Sequence, residues 1–418
     1  MTKTERNWAG NLTYGAAVVV EPETVSEVQE CVACADRIKG LGTRHSFSPI
    51  ADTSGVLLST RRLNRILGIH HDTGQVEIES GVTYGQLGPA LDQVGIALPN
   101  LASLPHLSVA GACATGTHGS GNTQQVLTSA VVEMDIVRAD GSLWTVKRSD
   151  PEFSAVAVHL GLVGIVTRLV LQGGPSVPWE QRVYLRLPLE RALDHFDDVT
   201  SGCESVSLFT QMREPVFDQV WVKQPVGVAQ RFAFDRFLAP ADRPMHPISE
   251  LSPVHCNDQM GIPGPWFERL PHFRMDFTPS SGDELQSELL IAREVAAEAL
   301  AAVFVLSDII APVLQVCEVR TMAGDDFWLS PAYRRATVGI HFTWIGDWTR
   351  VRPVLAKVEA ALTPFQPRPH WGKISTLDPA NVRSAFQMAN AFCNMAQRLD
   401  PTQKFRNDLA YRILGLSP

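Results

Sequence analysis

The sequence predicts an α+β protein of two domains, the second built on an antiparallel sheet. Three observations carry this. The chain has 418 residues, long for one core. Its first ~170 residues alternate strand and helix signals. After Gly173-Gly174 the texture changes to short strand-like runs, with two helical patterns between them.

The first domain opens with "AAVVVEP" at 16–22, which reads as a strand. Thr24-Val25-Ser26-Glu27 then has the form of a capping box. Val25, Val28, Val32, Ala35 and Ile38 follow at helical spacing, and Gly40 stands where a C-terminal glycine is expected. The turn "GLGTRHSFSP" at 40–49 would therefore follow a strand–helix unit. Val56–Ser59 is a further strand, and "ILGIHH" and "QVEIES" flank a hairpin around Asp72-Thr73-Gly74. A second helix runs from about Tyr84 to Val94, opened by Thr83 and Gln86 in another capping-box arrangement. The stretch "VAGACATGTHGSGN" at 109–122 is glycine-rich and almost all small residues. "VVEMDIVRA" and "SLWTVKR" flank Asp140-Gly141, and "GLVGIVTRLVLQ" at 161–172 reads as a glycine turn entering a strand.

In the second part "VSLFT", "QVWVK", "FRMDFT", "VCEVRT" and "VGIHFTWI" read as strands. Helical patterns lie near 284–306 and 350–362, and the last ~45 residues are mixed and helical. The most apolar segment, Ala299–Leu314, contains Asp308 and Pro312 and is too short to cross a bilayer. It reads as a buried helix and its exit.

Composition excludes several classes. Apolar residues at 45% and charged residues at 19% are ordinary for a soluble globular chain. A net charge of -8 argues against nucleic acid or an anionic membrane as partner. The first twenty residues do not read as a secretory signal. Seven scattered cysteines suit free thiols in a reducing compartment, so a cytoplasmic location is expected. Cys31-x-x-Cys34 lies in a helical pattern without a second such pair, His70-His71 reads as a strand pair, and no HExxH occurs, so no metal is expected.

Two glycine-rich segments in one domain suggest a phosphate cradle, because small residues let backbone N–H groups approach an anion. "GTHGSG" at 116–121 has its glycines in the reverse order of the Rossmann fingerprint, and Gly372-Lys373 lacks the P-loop context. The pattern points to a dinucleotide held by two separated loops in a non-Rossmann way. His45, at the tip of the first turn, could be a surface residue, a metal ligand, a base or a covalent attachment point. In the second domain Glu318 and Arg320 share one strand face, as do His341 and Thr343, and Trp371 and Lys373. A solvated outer face would alternate in the same way. The mixture of one carboxylate, guanidinium, imidazole, hydroxyl and ammonium suits a polyhydroxylated ligand and a developing alkoxide better.

Taken together, "GTRHSF", "ALPNLASLPHLSVAGACATGTHGSG", "GLVGIVT", "CEVRT", "HFTW", "RPHWGK" and the terminal "KFRN" resemble the bacterial alditol oxidases. These are flavoproteins of the vanillyl-alcohol-oxidase (VAO/PCMH) type, close to xylitol and sorbitol oxidases. The resemblance runs from "NWAGN" at 7–11 to the C-terminus. It implies a PCMH-type FAD-binding domain over 1–174, a substrate (cap) domain over 175–374 and a segment 375–418 that returns to the FAD domain. It implies FAD joined covalently to His45. Leu41, Gly42, Thr43, Arg44, His45, Ser46 and Phe47 would form a first FAD loop. Ser108, Gly111, Thr115, Gly116, Thr117 and His118 would form a second, and Gly164, Ile165 and Val166 would meet the adenine end. Ser103 would contact both flavin and substrate, with Asn407 close to the isoalloxazine. Glu318, Arg320, Thr343 and Lys373 match the polyol-binding residues, with His341 adjacent. Arg44 stands where some alditol oxidases carry glycine.

The implied reaction converts the terminal primary alcohol of an alditol to the aldose, with O2 reduced to H2O2. Arg320 and Lys373 would counter charge on the reacting oxygen, and His341 would take its proton or order the network. The implied partners are a small polyol and O2, with no nucleic acid and no membrane, acting on a monomer. A sugar-lactone oxidase or a polyol dehydrogenase of the same fold is the alternative.

Overall fold

The computed structural model describes residues 5–276 and 284–416. Val18–Val20, Val56–Ser59 and Ile38–Leu41 pair in that order as a small parallel sheet. Beside it lies a five-stranded antiparallel sheet, ordered Ile66–His70, Gln75–Glu79, Ile165–Gln172, Val131–Val137 and Leu143–Lys147. The rest of the chain builds an eight-stranded antiparallel sheet. Its strands run in the order Ala239–Pro240, Trp179–Pro188, Val216–Pro225, Ser205–Thr210, Leu314–Met322, Thr337–Ile345, Glu284–Ala292 and Arg368–Pro369. The α+β class with a separate antiparallel sheet is thus observed.

Local chemistry explains most elements. Thr83 and Gln86 make both halves of a capping box at the helix Tyr84–Asp92. At Val25–Cys34 only half forms: Thr24 Oγ1 accepts the Glu27 N–H at 3.2 Å, while the Glu27 carboxylate accepts the Glu23 N–H instead. This helix also ends before the sequence pattern suggests. Ile38 begins a strand and Gly40 lies inside it, so the 40–49 turn leaves a parallel strand, not a helix end. The segment at 109–122 opens as a short helix, Val109–Ala114, because alanines outnumber glycines there.

Three further expectations are corrected. Residues 284–292 form a strand, and the helix begins only at Ala296. Leu285, Leu289 and Ile291 are buried in the core while Glu284, Gln286 and Glu288 face a cavity, a period of two that the apolar content obscures. "FRMDFT" is no strand over its described part, where Phe273 makes one isolated bridge to Cys256; residues 277–278 lie outside the described residues. Trp371 and Lys373 do not share a strand face. They sit in a turn in which the Lys373 N–H donates to His370 O, and the Trp371 ring is buried, its Nε1 donating to Leu329 O at 2.7 Å.

One face of the eight-stranded sheet packs on an apolar core; the other carries the polar residues of the central strands beside a small apolar cluster of Val183, Phe209, Trp221 and Val316. Val319, Ile340, Phe342 and Trp344 pack with Leu300 and Val303 of Ala296–Phe304 and Leu355 and Val358 of Trp348–Leu362. Phe342 and Trp344 stack at 4.9 Å, and truncating such a buried ring costs about 3–5 kcal/mol. The apolar segment 299–314 bends by 63° at a break and belongs largely to this core. Among the described residues no single helix is long and apolar enough to cross a membrane. The C-terminal helices contribute Val382, Phe386, Phe392 and Leu409 to the core that also holds Val76, Ile78, Ile136 and Leu169 of the five-stranded sheet. The polar face of the large sheet is left toward a cavity.

Candidate active site

A cavity of about 450 Å³ lies between the N-terminal turns and that polar face, within the usual range for small-molecule sites. The N-terminal wall is the 40–47 turn. Arg44 holds φ 63° there, a left-handed conformation that glycine adopts without cost, and its guanidinium pairs with Glu5. Among the described residues, none accepts from the backbone N–H groups of Gly42, Thr43, Arg44, His45 or Ser46. A run of free N–H donors around a left-handed residue is an anion nest. The approach is close as well. A Cβ on Gly42 or Gly111 would lie 2.5 or 2.7 Å from Ser108 Oγ, so a side chain at either would force the Ser108 hydroxyl to move.

His45 is fixed from two sides. Its Nδ1 lies 3.0 Å from Thr43 Oγ1, which also accepts the Ser108 N–H, and Trp8 stacks on its ring at 5.4 Å. Burial, helped by the charges of His106 and Lys373, lowers its pKa to about 4, so the imidazole is neutral at pH 7. Gly164 has φ 146°, and a Cβ there would come 2.5 Å from Val137 O; with Ile165 and Val166 it lines the far end. Lys39 and His159, which sequence reasoning missed, also line that end. The Lys39 ammonium donates to Leu160 O and Gly161 O, and His159 Nδ1 accepts the Gly161 N–H.

The opposite wall is set by strand register. Glu318 pairs with His341, which pairs on its other side with Glu288, and Thr343 pairs with Gln286. Arg320 pairs with Gly339, where a Cβ would lie 2.9 Å from Glu288 Oε1, so this mid-strand glycine makes room for the carboxylate. Arg320 Nη2 donates to Glu288 Oε1 at 3.0 Å and Nη1 to Ser103 Oγ at 3.3 Å. His118 Nε2 lies 3.1 Å from the same Glu288 oxygen, and His341 Nδ1 lies 3.9 Å from the other. The Lys373 ammonium donates to Gln286 Oε1 and sits 5.0 Å over the Phe47 ring. Arg320 Nε and His341 Nδ1, both buried atoms of cavity-lining residues, have no hydrogen-bond partner among the described residues.

Charge balance follows. Burial pushes the Glu318 carboxyl up, but Arg320 and His272 outweigh it and hold the group well below the ordinary range. Glu288 is likewise held ionised, with His118 and Arg320 overcoming burial. Burial lowers His341 to about 4 against the opposing pull of Glu288, and lowers Lys373 to about 8. At neutral pH two carboxylates therefore face a guanidinium and an ammonium around a neutral imidazole. The set can bind hydroxyls, receive one proton and counter one developing negative charge.

Every expected site residue but two lines the cavity. Gly116 does not: its φ of +64° closes the preceding helix, and a Cβ would meet Pro331 Cδ at 2.9 Å. Asn407 does not either. It caps the helix Asp408–Leu414 and donates to Pro49 O, Ile50 O and Asp52 O, so it braces the segment behind the first turn. Besides Lys39 and His159, sequence reasoning missed Gln286, Glu288, His272 and His370 in the wall. The alternation of Glu284, Gln286 and Glu288 was the available signal for the first two.

Comparison with known proteins gives the site its context. Residues 16–147 match the family described as "FAD binding domain", and residues 289–413 the family described as "D-arabinono-1,4-lactone oxidase". An alditol oxidase of Streptomyces sp. is 44% identical over 417 residues, 99% of this chain and 100% of that protein. The chain belongs to the alditol oxidase family. Family membership carries FAD as cofactor and an oxidoreductase acting on alcohols with oxygen. An L-gulono-1,4-lactone dehydrogenase of Mycobacterium tuberculosis is 27% identical, over 98% of each chain. Cholesterol oxidase from B. sterolicum superposes with a TM-score of 0.78 at 14% identity, covering 99% of this chain and 97% of that one. A xylooligosaccharide oxidase from Myceliophthora thermophila gives 0.76 at 14%, covering 97% and 93%. These structures share the VAO-type two-domain fold that the alditol oxidase family adopts. The residues present fit FAD: the free N–H groups of the 42–46 turn and the glycine pair against Ser108 can hold a pyrophosphate, and the neutral His45 can bond to a flavin.

Proposed function

We propose that this protein oxidises the terminal primary alcohol of alditols such as xylitol and sorbitol to the aldose, with O2 as acceptor and H2O2 as second product, and that its FAD is attached covalently through His45. The observation that carries this is the single polar sheet face on which Glu318, Arg320, His341 and Thr343 meet Lys373 across the cavity from the His45 turn. FAD, when bound, supplies acceptance of a hydride equivalent and its transfer to O2.

The chain supplies binding, orientation and charge. Glu318, Thr343 and Ser103 hold the polyol hydroxyls. Arg320 and Lys373 counter charge on the reacting oxygen, an effect larger in the transition state than in the ground state. His341, a neutral ring, takes the hydroxyl proton, and Glu288 Oε2, 3.9 Å from its buried Nδ1, faces the imidazolium that results. Ser108, Thr115, Thr117 and His118 complete the cofactor wall begun by the 41–47 turn.

The same reading divides the chain into an FAD domain over 1–174, a substrate domain over 175–374 and a C-terminal segment over 375–418. It also makes the enzyme a cytoplasmic monomer, in keeping with its seven unpaired cysteines. An oxygen electrode loaded with xylitol, sorbitol and L-gulono-1,4-lactone tests the reaction. Oxygen uptake with the alditols, matched by peroxide, is expected. Uptake with the lactone alone overturns the reading in favour of a lactone oxidase.

A further inference from the structure

Behind Glu318, on the side away from Arg320, lies a buried chain of groups that no step above uses. Lys223, on the strand Val216–Pro225, is 1% exposed. Its ammonium donates to Leu270 O at 2.5 Å and Pro271 O at 2.9 Å, and lies 3.0 Å from His272 Nδ1. His272 Nε2 lies 2.8 Å from Glu318 Oε1. The His272 ring is wedged edge-on between Phe209 and Trp221 at 5.5 and 5.3 Å, and its backbone N–H donates to Ser103 O.

The direction of these bonds is determined by valence. An ammonium has three donors and no acceptor. Burial lowers Lys223 to about 7, with Glu318 opposing, so below that pH it is an ammonium; with two of its N–H groups on carbonyls, the third points at Nδ1, which must accept. A neutral imidazole that accepts at Nδ1 carries its proton on Nε2. Burial keeps this ring neutral, its pKa lowered to about 4. Nε2–H then donates to the Glu318 carboxylate, which can only accept. Both ends of the chain therefore demand the same tautomer. One Glu318 oxygen is thereby occupied. The other lies 3.5 Å from Arg320 Nε, which makes no hydrogen bond among the described residues, and so remains an acceptor on a cavity-lining residue.

We propose that Lys223 and His272 are positioning residues that lock Glu318 as an acceptor, so that the site selects a ligand hydroxyl at this point and rejects a carbonyl or ring oxygen. The inference rests on the alditol reading for its substrate but not for its geometry. A hydroxyl donates to the free carboxylate oxygen; a lactone carbonyl or ether oxygen would meet it acceptor to acceptor, leaving that oxygen without a hydrogen bond. The locked tautomer thus acts as a discriminator between an open-chain polyol and its cyclic, oxidised relatives.

Two experiments on the full-length holoenzyme test this. The first reads the tautomer directly by long-range 15N–1H correlation of the histidine rings, with the His272 signals assigned by their loss in His272→Gln. A neutral ring protonated at Nε2 is expected; protonation at Nδ1, or at both nitrogens near pH 7, overturns the proposal. The second compares KM with kcat for xylitol. His272→Gln keeps an N–H toward Glu318 and should hold KM within about threefold, whereas His272→Phe keeps the ring packing and should raise KM about tenfold or more with little change in kcat. Lys223→Met should resemble His272→Phe. Equal KM values for the Gln and Phe variants overturn the proposal. If Lys223→Met does not fold, the tautomer measurement still decides. If the wild-type protein oxidises no alditol, the functional reading fails while the 15N result still tests the lock.

Discussion

Gln286 and Lys373 stand 87 positions apart in the chain, yet the Lys373 ammonium donates to Gln286 Oε1 inside the cavity. The bond aims a cation that is otherwise carried on a turn. A neutral amide does this without cancelling the charge, as a carboxylate would. Lys373→Ala is therefore expected to slow anaerobic bleaching of the flavin by xylitol about 10²–10³-fold, the cost of losing one preorganised electrostatic partner. Stopped-flow absorbance would measure it. Flavin reoxidation by O2 should change much less, and near-normal bleaching would exclude Lys373 from the chemical step.

His45 should carry the flavin. Acid-precipitated protein is expected to stay yellow, with the flavin on the peptide containing His45. His45→Ala should still bind FAD without the covalent bond, because the N–H groups of residues 42–46 belong to the backbone and survive the substitution. Turnover should fall. Complete release of FAD from denatured wild-type protein would sink the assignment.

The pH dependence follows from two groups with opposite requirements. His341 must be neutral to take a proton, and burial lowers its pKa to about 4, so activity should be lost as the pH falls through that region. Lys373 must be charged, and burial lowers it to about 8, with Glu288 opposing, so activity should be lost as the pH rises through that region. A bell-shaped kcat/KM profile with limbs near 4 and 8 is expected. Lys373→Arg should move the alkaline limb out of the accessible range, since a guanidinium does not titrate there. An alkaline limb that stays put in that variant would assign it to another group.

Much of this was legible in the sequence, for physical reasons. Glu318 with Arg320 and His341 with Thr343 were readable because each pair sits on one face of a regular strand, where alternation is strict. Lys373 lines the cavity, but the sequence reading placed it on a strand it does not occupy; a turn has no periodicity to betray it. Glu288 was hidden because "ELQSELLIA" carries enough apolar residues to pass for the start of the helix that follows. Gly116 and Asn407 were assigned to the cofactor by motif, yet neither lines the cavity: one closes a helix end with a positive φ and the other caps a helix. Lys223 and His272 could not be found at all, because their partnership crosses 49 positions and no local pattern records it.

Arg44 gives a test of backbone strain. Its φ of 63° costs a side chain about 1 kcal/mol that glycine avoids, while glycine loses more chain entropy on folding. The two effects oppose each other. Arg44→Gly is expected to change unfolding stability by no more than about 1 kcal/mol and to retain FAD. Chemical denaturation with flavin absorbance would check both, and loss of FAD would show that the guanidinium itself holds the cofactor.

The strand face that carries the polar residues has a consequence for how this site can be altered. Thr343 is held in place by the buried Phe342 and Trp344 behind it and makes no bond to Glu288 or Arg320. Exchanges there should add independently to changes at Glu288, Arg320 and His118, and should couple to His341, whose Nε2 lies 3.4 Å from Thr343 Oγ1. Glu288, Arg320 and His118 meet at one carboxylate oxygen, so exchanges among them should interact by 0.5–3 kcal/mol, roughly, and single-site scans will misjudge their combinations. A library that varies the first position freely and the latter three only jointly would reach new polyol preferences with the fewest dead variants.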